Sequence, residues 1–344
     1  MKKLYKILPL LLVAPLSACQ ATSMTFEKHL FAFGTECHFT LYEDTKKGEE
    51  NLEAFYQLLK KIDAYADAEN KRDVVGVYDL NQTNNKLEIS EDFFNILLTA
   101  QQLNDSLPLF NPLVGSLSRK WKDSLAEGHV LDPDTIHEEL DKMSMSSLLL
   151  ERTTDRYFAQ RIGEAKIDLG AMAKGYALDK CFELSRQVDC VDYIFNLGKS
   201  SIGLGTNSEG KTNSGVKSKM PGCYGIRIEE LSAKYLYLQK SFISTSGNSE
   251  QGKVIDGQLY GHIINPGSGD AISNYDEVIV ISEASTGYGA LGDALSTSLM
   301  MCELEEIKKI EADYGVGIIV IQDSNIYYKS ESVKLYNANG KEVS

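Results

Sequence analysis

The chain lacks a surplus of positive charge. Its 35 Lys and Arg face 49 Asp and Glu, a net charge of −14 over 344 residues. Nucleic-acid phosphates attract basic surfaces, so no nucleic-acid partner is expected. An acidic chain that held a diphosphate would need a metal or local cations. The chain also lacks any C-x-x-C spacing: after Cys19 its cysteines are Cys37, Cys181, Cys190, Cys223 and Cys302. That argues against a zinc site. Five is odd, so at least one thiol is free or pairs outside the chain. Cys181 and Cys190 could bridge; otherwise the set reads as small buried apolar residues. No apolar run approaches the roughly 20 residues of a spanning helix. Internal repeats are missing. So is regular strand–helix alternation, which argues against a Rossmann fold.

What is present starts with an address. Lys2 and Lys3 precede an apolar run from Leu8 to Leu16, and Leu16-Ser17-Ala18-Cys19 follows. This is a secretory signal ending in a lipobox, the alternative being an ordinary signal peptide with a chance cysteine. Residues 1–18 are expected to be removed and Cys19 to carry the lipid. Acyl chains there would anchor the protein to a bacterial membrane without a span. The expected location is extracytoplasmic, on the periplasmic side or the outer face of the cell membrane. Gln20 after the lipidated cysteine leans outward in a two-membrane cell, and a one-membrane cell fits equally well. Residues 19–28 read as a tether and 29–340 as the functional domain, one large unit or two packed lobes.

With 43% apolar residues, a core is assured. Phe31–Tyr42 alternates as a strand, and Glu49–Ala66 has helical spacing. Residues 67–90 read as loop, and Ser90 caps a helix filled by Phe93–Leu103. Residues 121–145 are mixed, with a short helix near Asp134–Lys142. Strands are expected from Tyr157, at Lys166–Leu169, Tyr193–Leu197, Ser201–Leu204, Tyr235–Ile243, Val254–Ile264, Val278–Ile281, Val316–Gln322, Ile326–Lys329 and Val333–Tyr336, the last two closing the sheet. Helices are expected at Gly175–Gln187, Ala290–Cys302 and Glu303–Tyr314. Asn207–Met220, rich in Gly, Ser, Asn and Lys, reads as a loop. The fold class is α+β, with mixed, mostly antiparallel sheets and packed helices.

Five segments carry chemistry. In Ile167-Asp168-Leu169-Gly170-Ala171-Met172-Ala173-Lys174-Gly175-Tyr176-Ala177 a strand ends in a carboxylate and a small-residue turn enters a helix. Such a turn lets backbone approach a ligand, the helix N-terminus favours anions, and Lys174 adds a cation. Plain packing would use the same small residues. The second is Phe195-Asn196-Leu197-Gly198, a strand running into a turn. Ser244-Thr245-Ser246-Gly247-Asn248 is a hydroxyl-rich strand end that could equally be a surface turn. His262-Ile263-Ile264-Asn265-Pro266 carries one of five histidines, and a lone strand histidine is usually structural. In Gly292-Asp293-Ala294-Leu295-Ser296-Thr297, Asp293 and Thr297 share a helical face. A carboxylate and a hydroxyl so placed can ligate a hard cation; an Asp cap with a Thr bonded along the helix is the plainer alternative.

In this order and at these intervals, the five segments resemble the ApbE-type FAD:protein FMN transferases, whose members are often lipoproteins. The likeness runs from about Phe31 to Tyr336. It takes in the family's D-x-G-A-x-A-K-G-Y-A-x-D pattern through Asp179. It also takes in Gly34-Thr35, and Phe110-Asn111-Pro112-Leu113-Val114-Gly115 ahead of Trp121. The resemblance implies a Mg²⁺ site made by the Ala171 carbonyl, Asp293 and Thr297. It implies an FAD site lined by Phe33, Tyr65, Leu109, Phe110, Asn111, Asp168, Lys174 and Ile264. It further implies transfer of FMN to a Ser or Thr hydroxyl, with His262 or Asp168 as base. Acceptors would be subunits of membrane redox complexes with a D-x-x-[ST]-G-A-[ST]-like motif. An FAD pyrophosphatase or a non-catalytic FAD-binding lipoprotein would use the same site. Three departures stand out. Lys199 and Ser200 follow Gly198 where the family has a second Gly and Asp or Asn; Asn265 and Asn111 replace aspartates.

Overall fold

The computed structural model describes residues 24–43, 47–208, 219–248 and 252–343, with residues 210, 212–213 and 216–217 between them. The expected signal peptide and Cys19 lie outside these residues, as do residues 209, 211, 214, 215 and 218 of the expected loop 207–220. The short strands Thr212–Asn213 and Val216–Lys217 pair within that stretch.

One sheet organises the chain. Its strands are β1 (Met24–Ala32), β2 (Thr35–Glu43), β3 (Tyr193–Leu197), β4 (Ser201–Leu204), β5 (Ser241–Gly247), β6 (Glu277–Glu283), β7 (Gly317–Gln322) and β8 (Asn325–Lys329). They lie side by side in chain order, and every neighbouring pair is antiparallel. Long excursions leave and return to this meander. The largest, between β2 and β3, holds α1 (Gly48–Ala66), α2 (Val77–Gln82), α3 (Glu91–Ser106), α4 (Gly115–Glu127), α5 (Pro133–Leu140) and α6 (Ala173–Gln187). α7 (Tyr288–Leu299) and α8 (Leu304–Tyr314) join β6 to β7.

Side chains alternate across a strand, and both faces of this sheet are covered. Phe39, Phe195, Phe242, Val278, Val280 and Ile318 meet α1, α6 and α7. Ile194, Ile243, Ile279, Ile319 and Ile321 meet a second sheet formed by Tyr224–Arg227, Tyr235–Leu238, Leu335–Tyr336 and Glu342–Val343. Two-sided burial explains why β6 and β7 read as continuous apolar runs although their pairing is antiparallel. A satellite core around Leu117, Trp121 and Ile136 clamps the 260–271 segment onto α4 and α5.

The structure corrects several boundaries. The single strand expected over Phe31–Tyr42 is a hairpin. Its turn, Phe33-Gly34, has φ +52° and +72°, the positive pair that a two-residue hairpin loop requires. β1 begins at Met24, so residues 24–28 of the expected tether are part of the sheet. Lys166–Leu169 is extended but joins no sheet; it forms one bridge, Val114 to Lys166. Its backbone is satisfied instead by the Asn81 side chain, which accepts from Ile167 N (2.8 Å) and donates to Ile167 O (2.8 Å). Tyr235–Ile243 divides at Lys240, and its halves enter different sheets. Val333–Tyr336 likewise serves the second sheet rather than closing the first. The 67–90 loop contains α2 and the strand Leu87–Ile89, and α4 occupies a stretch with no helix expected. All five described cysteines are free, four of them buried.

Phe195 is fully buried and contacts the rings of Phe39, Phe55 and Tyr193. Phe195→Ala should cost roughly 3–5 kcal/mol of stability, read as a lower midpoint in urea unfolding.

Candidate active site

Two helices start without a cap from their own N-cap residue. Met172 and Gly287, the N-caps of α6 and α7, make no side-chain cap bond. The helices cross at glycines. A Cβ on Gly175 would sit 2.0 Å from Gly289 O, and one on Gly289 would sit 2.3 Å from Gly175 O. No other residue permits so close a passage. At the crossing, the Gly175 N–H donates to Asp293 Oδ2 at 2.6 Å, and Ser201 Oγ donates to Asp293 Oδ1 at 2.8 Å. Burial pushes the Asp293 carboxyl above the usual range. Lys174, the Ser244 and Ser201 hydroxyls and the Gly175 N–H pull it back. One turn along α7, Thr297 Oγ1 lies 3.0 Å from Ser246 Oγ, which also meets Ser296 Oγ at 2.9 Å.

This corner opens into a cleft of about 980 Å³, at the upper end of small-molecule pockets, which run roughly 300–1,000 Å³. Of the expected site residues, Phe33, Leu109, Phe110, Asn111, Asp168, Ala171, Lys174, His262, Ile264 and Thr297 line it. Asp293 lies just beneath, fully buried. Tyr65 stands apart: it is 4% exposed, stacks on Phe93 and accepts from Ser90 Oγ at 2.8 Å. It lines no part of the cleft, because α1 turns that face into the core.

Each wall has a local cause. The Phe33 N–H, in a left-handed conformation costly for an aromatic residue, donates to Asp63 Oδ1 at 2.6 Å. Burial raises the Asp63 carboxyl, while this bond and Arg72 oppose the rise. Asp168 Oδ1 accepts from Gly170 N at 2.7 Å, and its own N–H bonds Pro112 O at 2.8 Å. That ties the corner to the Phe110–Gly115 segment. Asn111 accepts from Leu113 N at 2.9 Å and donates to Met143 O at 3.1 Å. Asn265 Oδ1 accepts from Gly267 N at 2.8 Å and Ser268 N at 3.3 Å. Trp121 Nε1 donates to Gly269 O at 2.7 Å and holds that turn against α4. His262 is exposed at the edge of the cleft.

Sequence reasoning missed the far wall. Arg227, Glu229 and Glu230 come from the second sheet and Glu277 from β6. Burial first, then Glu230, Glu229 and Asp276, push the Glu277 carboxyl up to about 7. Lys199, left-handed at φ +64°, reaches across the mouth to Glu229 at 3.1 Å. The only signal for this wall was the charge density of 227–230, which carries no address without the strand pairing.

Among the described residues no three His, Cys, Asp or Glu side chains gather as a metal cluster. A cation here would have one carboxylate, Asp293, with hydroxyl and carbonyl oxygens. That donor set suits Mg²⁺, which takes one or two carboxylates and completes its shell with substrate phosphates and water. Asp293 has lone pairs left after its two bonds. Ser244 Oγ, buried beside it, has no hydrogen-bond partner in the protein. The residues therefore fit the ion.

The class is α+β: an antiparallel meander backed by helices, with a small-residue helix corner opening on the cleft. The Thermotoga maritima ApbE protein superposes with a TM-score of 0.72 at 23% identity, covering 90% of this chain and 98% of that one. The flavin transferase ApbE from Vibrio cholerae gives 0.67 at 20% identity, with coverage of 90% and 98%. In sequence, the FAD:protein FMN transferase of Haemophilus influenzae is 25% identical over 96% of this chain and 97% of its own length. The chain belongs to the ApbE family, whose sequence model matches residues 33–320.

A carboxyl raised from 4.5 to about 7 in the fold stabilises the protein below its unfolded pKa and loses that contribution as pH rises through its folded pKa. Glu277→Gln should therefore gain stability relative to the parent between about pH 4 and about pH 8. The gain should appear as roughly 2 °C in Tm at the alkaline end and nothing at the acid end.

Proposed function

We propose that this chain is an FAD:protein FMN transferase that moves the FMN half of FAD onto a Ser or Thr hydroxyl of an acceptor protein, with Mg²⁺, and releases AMP. The observation that carries the reading is the convergence of Asp168, Lys174, Thr297 and His262 on one cleft, with Asp293 buried beside it and bonded to the Gly175 N–H. Membership in the ApbE family supports it, as do relatives that bear the transferase name.

The start of α6 and Lys174 favour the diphosphate by dipole and charge. Asp293, Thr297 and the Ala171 carbonyl would hold Mg²⁺, which supplies charge neutralisation at the leaving phosphate. The acceptor oxygen bonds to the FMN-side phosphorus as the bridging P–O bond breaks, and AMP leaves with the bridging oxygen. The acceptor proton goes to a base. His262, exposed at the rim, is placed to meet an incoming protein side chain, and its ordinary pKa lies near neutrality. Asp168, held by Gly170 N, is the alternative base. Acceptors with a D-x-x-[ST]-G-A-[ST]-like motif in membrane redox complexes fit the reading. So does a lipid anchor at Cys19, which rests on the lipobox alone.

Mixing the protein with FAD, Mg²⁺ and an acceptor domain should give a fluorescent acceptor band and the mass increment of FMN. FMN and AMP in solution without acceptor would identify a hydrolase instead. Bound FAD with no product at all would leave a binding protein. Asp293→Asn should lower transfer on the order of 100-fold without unfolding the protein. Cys19→Ala should move the protein from the membrane fraction to the soluble fraction; retention on the membrane would refute the anchor.

A further inference from the structure

The crossing of α6 and α7 is pinned twice, and only one pin belongs to the site described above. Asp293 of α7 receives the Gly175 N–H at the start of α6. Asp179 of α6 does the reverse for α7. Its Oδ1 accepts from Gly287 N at 2.9 Å and Gly289 N at 2.8 Å, and its Oδ2 accepts from Ala290 N at 2.9 Å. Each helix thus lends the other a carboxylate at its positive end, where the first N–H groups have no intrahelical partner. The spacing is the same on both sides. Asp179 lies four residues after Gly175, and Asp293 lies four residues after Gly289. In each helix the glycine and the carboxylate therefore share one face.

Asp179 is 3% exposed and lines no part of the cleft, so it touches no substrate. Its effect on the site runs through the backbone. Three bonds fix where α7 starts, and Asp293 and Thr297 follow one and two turns later on the same rigid helix. Gly289 can move neither toward α6, because Gly175 O is already there, nor away from it without stretching the Asp179 bonds.

We propose that Asp179 is a positioning residue for the cation site: it sets the register of α7 on α6 and so the placement of the Asp293 and Thr297 oxygens. This rests on the reading that those two residues hold Mg²⁺, and the test separates the two claims.

Mg²⁺ is titrated calorimetrically into the FAD-loaded parent, Asp179→Ala, Asp179→Asn, Asp293→Asn and Ser330→Ala. Mg²⁺ dependence of FMN transfer is measured alongside. Ser330→Ala removes a buried bond to Ile318 N outside the cleft and controls for stability loss as such. Asp179→Ala should raise the Kd for Mg²⁺ about 10- to 100-fold, the usual effect of losing a group that orients a ligand. Its kcat at saturating Mg²⁺ should stay within a few-fold of the parent. Asp179→Asn should fall between, because its amide can accept at one position but faces another N–H donor at the other. Ser330→Ala should lose Tm and keep the parent Kd. If Asp179→Ala does not fold, the same shift in Asp179→Asn decides. An Asp179 variant that unfolds cooperatively and binds Mg²⁺ as the parent does overturns the role of Asp179 and leaves the cation site standing. A parent that binds no Mg²⁺, or an Asp293→Asn that binds it unchanged, removes the cation site and the proposal together.

Discussion

Two helix backbones can touch only where neither carries a Cβ. The contact between Gly175 and Gly289 is that place, and the remainder of the site is arranged around it. It brings the N-terminus of α6 and its Gly175 N–H against a buried carboxylate drawn from more than a hundred residues away. Burial alone would drive Asp293 neutral; Lys174, two hydroxyls and one N–H counter that tendency. Burial outweighs them, so the carboxyl sits above the usual range in a corner beside an open cleft. Such a group is costly to keep unless a cation or proton answers it. The fold tolerates it because the main sheet seals one side and α6 the other.

Much of this was legible because its causes are local. Helical spacing marks α1, α3 and α6 to α8, and the strands Tyr193–Leu197 and Ser201–Leu204 match their expected ends. The chemical segments were legible for a related reason: small residues cluster where backbones approach closely, and hydroxyls cluster where a helix needs oxygen beside it. What escaped depends on pairing at a distance. The turns at Phe33-Gly34 and Lys240 place bulky residues at positive φ, where sequence normally announces itself with Gly or Asn. No local rule marks Phe33 as a turn residue, since Asp63, thirty positions on, holds its N–H. The strand Tyr224–Arg227 is four residues long and bounded by polar chain. With it went the acidic wall of the cleft. Tyr65 was placed in the site by the family resemblance; the structure buries it against Phe93 instead.

The departures from the family pattern acquire chemical content in the structure. An aspartate at position 111 could accept from Leu113 N but could not donate to Met143 O. Asn111 does both, so a charge in the cleft is exchanged for a second backbone tie. Asn265 makes the two-bond turn that a carboxylate there would also make, so its loss of charge leaves the geometry of Pro266 intact. Lys199 differs in kind. It adds a second cation, beside Arg227, to a rim that carries Glu229, Glu230 and Glu277, and its partner Glu229 keeps it at the mouth.

Those charges are not scattered. Along β5 the side chains alternate, so Ser244 and Ser246 meet α7 while Ile243 and Thr245 face the second sheet. On the helix side stand Lys174, the α6 N-terminus and the oxygens of Asp293 and Thr297. On the other side Glu230 and Glu229 lie close enough to Glu277 to raise its proton affinity. The two sets lie toward opposite faces of the sheet, although both open into one cleft. A diphosphate entering such a cleft meets attraction at one end and repulsion at the other. In a chain with net charge −14, the cations at this cleft, Lys174, Lys199 and Arg227, are local ones set among carboxylates.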